Sequence, residues 1–196
     1  MRAKNKLVYG VGVNDLEESI KVDGKFLPVY SAWKSMLQRC YYSGTLQKNP
    51  TYQGCTVHPD WHLLSNFKVW FDANHRPRFH LDKDILIQGN KVYSPETCSY
   101  VPNYINYLIV NSEGVNGLGV SPFYTKRKDG SITTTYRTYC NNARGKLLRS
   151  SFKNPEDASA WYIETKKKIV SEVSKQALDR GEISQAVYEA LIARKF

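Results

Sequence analysis

Two stretches of the N-terminal half place hydrophobic residues at helical spacing, and each predicts a helix. The first stretch covers 30–42, with Ser31 in the position of an N-cap. The second covers 59–72, with Asp60 as its candidate cap. Between them, the segment 44–54 is rich in Gly, Asn and Pro and is predicted to be a loop.

Hydrophobic and polar residues then alternate over 80–87, which predicts a strand ending at a Gly89-Asn90 turn. Residues 91–93 are the candidate return strand of a hairpin. A short helix is predicted over 102–111, because Pro is tolerated in the first turn of a helix. Together these elements predict a ββα arrangement for residues 79–110.

The C-terminal half begins with a predicted linker at 112–116, followed by three β-like stretches and two helices. The long helix opens at Asn154-Pro155 and runs to about Leu178, and the short one covers 183–193. The three strands are predicted at 119–124, 132–140 and 146–152. The sequence thus predicts an α+β protein. Residues 1–111 form a helical region with the ββα motif, and residues 112–196 form a three-stranded antiparallel sheet packed on a helix.

The composition of the chain indicates a polyanionic partner. Its 196 residues include 28 Lys and Arg against 18 Asp and Glu, a formal charge of +10. No apolar run approaches the roughly 18 residues that a membrane span requires. Residues 1–9 are too charged for the core of a signal peptide. We therefore expect a cytoplasmic protein with no membrane partner.

The charge is distributed unevenly along the chain. Residues 1–80 carry a formal +5 and residues 114–168 carry +7, whereas residues 81–113 carry −2. Basic flanks suit contacts with phosphates, and a local group of carboxylates suits a divalent cation.

Four cysteines lie at widely separated positions, and none forms a C-x-x-C pair. We expect free thiols in a reducing cytosol. An alternative is a mixed zinc site formed by Cys40, Cys55 and His58.

The acidic segment resembles the metal-binding hairpin of the phage HNH homing endonucleases. The matching strings are Leu81-Asp82-Lys83-Asp84-Ile85, Gly89-Asn90-Lys91, Tyr93-Ser94-Pro95-Glu96-Thr97-Cys98 and Ile105-Asn106. Upstream residues in the order of that group include Trp33, Met36-Leu37, Arg39-Cys40-Tyr41, Tyr52, Gly54-Cys55, Val57, Trp61 and Phe67. The resemblance spans roughly residues 8–110.

This resemblance implies cleavage of a DNA phosphodiester with one divalent cation, Mg²⁺ or Mn²⁺. Asp82 and Asn106 fall on the metal ligands of the family, and Thr97 falls on a residue that braces the loop. The family's general-base histidine is replaced here by Lys83, which we expect to stay charged beside two aspartates. Lys83 is then a candidate for contact with phosphate or with the transition state. Because side chains alternate along a strand, His80 shares a face with Asp82 and is a candidate base.

Three further histidines, His58, His62 and His75, are alternatives for the base. His58 and His62 are four residues apart, as a pair of zinc ligands on a helix would be, but Pro59 lies between them. Surface or half-buried histidines are the simpler interpretation.

The C-terminal half resembles the DNA-binding domain of plant ethylene-response factors, which has three strands backed by one helix. The resemblance rests on the Gly117-Leu118-Gly119-Val120 start, on a strand ending in Phe152 and on the Asn-Pro-Glu-Asp-Ala helix start at Asn154. It implies binding of double-stranded DNA through the sheet. The arginine and tryptophan readers of the plant proteins are not clearly matched.

Candidate DNA-binding residues follow from charge and position. Lys126, Arg127 and Lys128 lie at a predicted hairpin tip, and Tyr124, Thr133, Thr135 and Arg137 are predicted to share one strand face. Arg144, Lys146 and Arg149 add a second basic patch, and Arg39 adds a contact from the N-terminal half. Lys166, Lys167 and Lys168 are predicted to lie on a solvated helix face.

The sequence therefore predicts a sequence-recognising DNA endonuclease of the HNH type. One alternative is a nuclease-derived DNA-binding or regulatory protein without catalysis, motivated by Lys83. A weaker alternative is a binding module for RNA or protein that uses the aromatic N-terminal half. A monomer is compatible with the sequence, which does not set the oligomeric state.

Overall fold

The computed structural model describes residues 7–110, 113–114, 117–141 and 147–196. The chain divides into two compact units, Met1–Tyr100 and Val101–Phe196, ahead of the predicted boundary at 111. Each unit combines helices with small sheets, so the predicted α+β class is confirmed.

Unit 1 is built around helices α1 (Pro28–Tyr41) and α3 (Leu64–Asn74). Their apolar faces enclose a core of fully buried aromatic and aliphatic side chains, which includes Trp33, Leu37, Trp61, Leu64 and Phe67. The Trp33 indole donates to the carbonyl of Trp61 at 2.7 Å. This bond satisfies the one polar atom of a fully buried side chain and fixes the two helices against the turn between them.

The starts of both helices differ from the prediction. Helix α1 begins at Pro28, and its N-cap is Leu27 without a side-chain cap, so the proposed cap Ser31 lies inside the first turn. The predicted helix over 59–72 is two elements, a 3₁₀ turn at Pro59–His62 and α3. Leu63 between them is extended.

A residue from far along the chain supplies the cap that α3 lacks locally. The Asp15 carboxylate accepts from Ser65 N at 2.9 Å and from Ser65 Oγ at 2.5 Å. These bonds satisfy a free amide of the first helical turn. The predicted cap Asp60 instead lies inside the 3₁₀ turn, where its backbone amide donates to His58 Nδ1 at 3.4 Å.

The segment 44–54, predicted as a loop, contains short helices. Helix α2 covers Ser43–Lys48, and a 3₁₀ turn follows at Pro50–Tyr52. Asn49 therefore separates the two helical pieces, and Pro50 opens the second.

The strands of unit 1 pair in a way that differs from the predicted hairpin. Strands β1 (Lys21–Val22) and β2 (Lys25–Phe26) form a small antiparallel ladder. Strand β3 (Thr56–Val57) pairs in parallel with β5 (Val92–Tyr93). Strand β4 covers Phe79–Asp82.

Strand β4 pairs with β6 (Ser99–Pro102), whose first two residues end unit 1. The proposed return strand at 91–93 is therefore wrong as the partner of β4, because its residues pair with β3. Helix α4 (Asn103–Leu108) follows β6 directly and is shorter than predicted.

Unit 2 contains an antiparallel sheet with β10 (Ile132–Asn141) between β9 (Val120–Lys126) and β11 (Leu147–Phe152). Ahead of it, β7 (Glu113–Gly114) pairs with β8 (Gly117–Leu118). One face of the sheet packs on helix α5 (Pro155–Asp179), which is followed by α6 (Gln185–Ala193).

Helix α5 begins at the predicted place, since Asn154 Oδ1 accepts from Asp157 N at 2.8 Å and Pro155 opens the first turn. The prediction of a solvated lysine face is wrong for Lys166, which is 5% exposed. Its amino group reaches the carbonyl of Val110 at 2.8 Å. No helix in the described part of the chain is long and apolar enough to cross a membrane.

Candidate functional site

Asp82 ends strand β4, and its carboxylate organises the chain that follows. Oδ1 accepts from the amides of Asp84 and Ile85, both at 2.8 Å. Neither bond uses Oδ2. Burial and the neighbouring Asp84 carboxylate raise the pKa of Asp82, while the two amide donors and Lys83 act in the opposite direction. A half-buried carboxylate beside a second carboxylate gains from a nearby cation.

Lys83, the candidate at the position of the family's base, is 8% exposed and braces the loop after β4. Its amino group donates to the carbonyl of Asn90 at 3.0 Å and lies 3.6 Å from Asp84 Oδ2. Asn90 in turn donates from Nδ2 to the carbonyl of Lys83 at 2.7 Å. These contacts assign Lys83 a structural role within the loop.

His80 lies two residues before Asp82 on β4 and is exposed. Its side chain lines a cleft of about 280 Å³ together with Arg39, His75 and Tyr100. Alternation along the strand places His80 and Asp82 on the same face. The predicted candidate base therefore borders an open cleft that a substrate can enter.

Arg39 is half-buried in the last turn of α1. Its guanidinium donates to the Tyr93 hydroxyl and lies 5.8 Å from the centre of the Tyr52 ring. Burial disfavours its charge, but Tyr93, Tyr52 and Asp82 together raise the pKa of Arg39 above the ordinary value. A permanent positive charge therefore lies within electrostatic reach of Asp82.

Asn106 belongs to unit 2, where it lies on α4, whereas Asp82 belongs to unit 1. The side-chain oxygen of Asn106 is buried and has no hydrogen-bond partner among the described residues. A buried amide oxygen without a donor is costly, and a bound cation would satisfy it. The two predicted ligands thus offer a carboxylate and an amide oxygen, the donor types that Mg²⁺ prefers.

Thr97, which the resemblance places at a loop brace, makes loop contacts in unit 1. Its hydroxyl donates to the carbonyl of Val92 at 2.7 Å and lies 3.0 Å from the Ser94 hydroxyl. These bonds fix the turn that leads from β5 to β6.

The outer face of the sheet in unit 2 combines two arginines with two aromatic rings. Arg137 pairs with Ser121 and Ser151, and Tyr139 pairs with Arg149. The Arg137 guanidinium lies 3.0 Å from the centre of the Phe123 ring. The opposite face carries Thr138 and Cys140, which are buried.

The three strands of this sheet contain no Asp or Glu. A sheet face with arginines, exposed rings and no acidic side chain on its strands is suited to a polyanion that also offers flat bases. Thr133 and Thr135 lie on this face with Arg137, as predicted from alternation.

The register corrects the placement of Tyr124. Tyr124 pairs with Thr134, so it lies on the opposite face from Thr133, Thr135 and Arg137. It is nevertheless 65% exposed, because it lies close to the tip of the hairpin. The tip itself carries Lys126, Arg127 and Lys128, all exposed. The remaining candidates Arg144 and Lys146 lie outside the described residues.

The cysteines and the other histidines form no metal site in the part of the chain that the structure describes. All four cysteines are free and buried. No group of three His, Cys, Asp or Glu side chains in the described ranges is arranged as metal ligands. The alternative zinc site at Cys40, Cys55 and His58 is therefore not formed there.

Two aromatic residues on the outer face of this sheet, Phe123 and Tyr139, were not among the residues predicted from the sequence. Phe123 supports Arg137 across the strand pair, and Tyr139 lies beside Arg149. The alternation of the strands contained the signal for both, because each occupies an odd-numbered position on the same face of the sheet as the predicted arginines.

No protein-family model, no curated protein and no solved structure matches this chain. The family resemblance therefore stays a prediction.

Proposed function

We propose that this protein is a divalent-metal-dependent DNA endonuclease of the HNH type, with catalytic residues in its N-terminal half and a DNA-reading sheet in unit 2. The observation that carries the proposal is the grouping of Asp82, His80 and Arg39 in unit 1. A carboxylate, an imidazole beside an open cleft and a fixed positive charge are the groups that phosphodiester hydrolysis requires.

In this proposal, Asp82 would supply an oxygen ligand to Mg²⁺ or Mn²⁺ in unit 1, and the family resemblance also assigns a ligand role to Asn106 of unit 2. The bound cation would withdraw charge from the scissile phosphate and stabilise the leaving oxygen. His80 accepts a proton from the water that attacks phosphorus, as the bond to the leaving oxygen breaks. Arg39 adds a fixed positive charge that attracts the DNA backbone.

Lys83 does not serve as the base in this scheme. Its amino group is buried and donates to the carbonyl of Asn90, so it is committed to the loop. The base function is assigned to His80, which is exposed on β4.

The sheet of unit 2 supports duplex DNA as the substrate. Arginine side chains reach two acceptors of guanine in the major groove, and lysines at a hairpin tip reach phosphates. Arg137 is held by the Phe123 ring, and Lys126, Arg127 and Lys128 extend beyond the sheet. Binding through this face would place the protein in register on the duplex.

The catalytic assignment is tested by His80→Gln, with His62→Gln as the matched control. With supercoiled plasmid and Mg²⁺, we expect His80→Gln to cleave roughly 10²–10⁴-fold more slowly than wild type, the range for loss of a general base. DNA affinity should change little, and His62→Gln should cleave as wild type does. Equal rates for the two variants would exclude His80 as the base.

A second candidate function is DNA binding without cleavage. It is favoured by the commitment of Lys83 to the loop at the position where the family has its base. In that case wild-type protein binds DNA and cuts none. Lys83→His would then gain activity that Lys83→Gln does not, because only the former supplies a proton acceptor. Full activity of the wild type would exclude this candidate.

A further inference from the structure

The cleft that His80 and Arg39 border also contains polar side chains that the catalytic scheme does not use. Three segments of unit 1 form its walls: α1, the end of α3, and β4 with Tyr100. Its polar side chains are hydroxyls, imidazoles and a guanidinium, contributed by Ser31, Ser35, Arg39, His75, His80 and Tyr100. None of the lining residues is acidic. Such a set of donors is suited to an anion.

His75 is held in the cleft by aromatic contacts. Its ring is stacked on Phe71, with 4.2 Å between centroids and 13° between planes, and meets Tyr100 edge-on at 5.2 Å. Burial lowers the pKa of His75, while the charge of Asp72 acts in the opposite direction. A neutral imidazole retains one ring N–H to donate to an oxygen.

The size of the cleft limits what it can hold. Its volume of about 280 Å³ lies just below the roughly 300–1,000 Å³ of pockets for drug-sized ligands. The cleft is therefore large enough for one phosphodiester group.

We propose that this cleft is a phosphate subsite that holds one backbone phosphate of the DNA next to the one that is cleaved, with Arg39 and His75 as its positioning residues. The proposal rests on the proposed function, since it assumes that DNA runs past β4. It adds a contact in unit 1 that fixes the register of the substrate relative to Asp82.

The test uses a pair of charge-matched variants. Ser35→Glu places a carboxylate on the wall of the cleft, whereas Ser43→Glu places one at the exposed start of α2, outside it. Both serines are exposed on helices, and circular dichroism establishes that both variants fold. Affinity for a duplex oligonucleotide is measured in EDTA over a series of salt concentrations, so that no cleavage occurs.

We expect the salt slope of log K to fall in magnitude by about 0.9 for Ser35→Glu, the value for one lost phosphate contact on duplex DNA. Ser43→Glu should keep the wild-type slope. In a parallel titration, inorganic phosphate should shift the NMR signals of His75 in wild type and in Ser43→Glu, but not in Ser35→Glu.

Equal salt slopes for the two variants overturn the proposal, whatever the phosphate titration gives. A phosphate response with equal slopes would mean that the cleft takes free phosphate only. The outcome is independent of catalysis. If wild-type protein never cuts DNA but the variants show the expected slopes, the proposed nuclease function is wrong and the phosphate subsite stands. If the protein cuts DNA but the two variants have equal slopes, the subsite is wrong and the nuclease function stands.

Discussion

The side chains of Lys83 and Asn90 each donate a hydrogen bond to the backbone carbonyl of the other residue, across the loop after β4. The amino group of Lys83 donates to the carbonyl of Asn90 at 3.0 Å, and Asn90 Nδ2 donates to the carbonyl of Lys83 at 2.7 Å. Asn90 Nδ2 also donates to the carbonyl of Val92 at 2.6 Å. This mutual support fixes the loop that follows Asp82.

Loss of this brace should destabilise unit 1. Lys83→Met removes the donor to the carbonyl of Asn90 in a buried setting, and we expect a loss of about 1–3 kcal/mol in the free energy of unfolding by urea. The matched control is Lys91→Met, since Lys91 is exposed and donates to the carbonyl of Thr51 at 2.8 Å. That change should cost less than about 0.5 kcal/mol. Equal losses would contradict the structural role of Lys83.

Gly119 is predicted to be essential for the packing of α5 in unit 2. Its φ is +69°, and a Cβ built there would lie 2.3 Å from Cδ2 of Tyr162, a fully buried side chain. We expect Gly119→Ala to lower the free energy of unfolding by roughly 2–5 kcal/mol, from backbone strain and overpacking together.

Gly130 provides the control for that prediction. Its φ is +85°, but a Cβ there would meet nothing within 4 Å. Gly130→Ala should therefore cost only the strain, about 1–2 kcal/mol. If the two alanine variants unfold at the same urea concentration, Tyr162 does not limit the space at Gly119.

Arg137 should dominate DNA binding by the sheet of unit 2. Removing a well-placed arginine from a base contact costs about 1–3 kcal/mol, so Arg137→Ala should weaken binding of the preferred duplex roughly 5–150-fold at fixed salt. Lys168→Ala is the control, because Lys168 is exposed on α5 and pairs with Glu164 at 2.7 Å. Its affinity should stay within about twofold of wild type. Fluorescence anisotropy with a labelled duplex measures the affinity of each variant. Equal affinities for the two variants would show that the sheet does not bind the DNA.

The stability of unit 1 should depend on pH through His75. Because burial lowers the pKa of His75 below its ordinary value of 6.5, protonation favours the unfolded chain. This contribution to stability is intact above about pH 6.5 and is lost as the pH falls through the pKa of the folded state.

His75→Gln should consequently lose less stability than wild type between pH 7.5 and pH 5. The charged or titratable groups around His75 are Asp72, Arg39 and His80, and they remain in the variant. Urea unfolding at the two pH values measures the difference, and a His75→Gln curve parallel to that of wild type would contradict the assignment.

Elements set by local signals were predictable from the sequence. The start of α5 follows from Asn154 and Pro155, and the hairpin between β9 and β10 turns at Asp129-Gly130, where Gly130 has a φ of +85°. The two faces of β10 follow from alternation. These features need only neighbouring residues, which is why the pattern contained them.

Features that depend on distant partners were not predictable. Strand β4 pairs with β6 instead of the nearer residues 91–93, because β5 is taken up by β3. Lys166 is buried because its amino group reaches the carbonyl of Val110, which a run of three lysines does not indicate. The cleft likewise forms only where α1, the end of α3 and β4 meet.

The central claim is that Asp82 supports metal-dependent cleavage of DNA, and one comparison tests it most directly. Supercoiled plasmid is incubated with Mg²⁺ and with wild type, Asp82→Ala or Asp60→Ala, the last being a change at an exposed aspartate. We expect wild type and Asp60→Ala to nick or cut the plasmid, and EDTA to stop them. Asp82→Ala should be roughly a thousandfold slower or more, because several kcal/mol of charge stabilisation are lost. Cleavage by Asp82→Ala at the wild-type rate, or none by wild-type protein that binds DNA, would contradict the account.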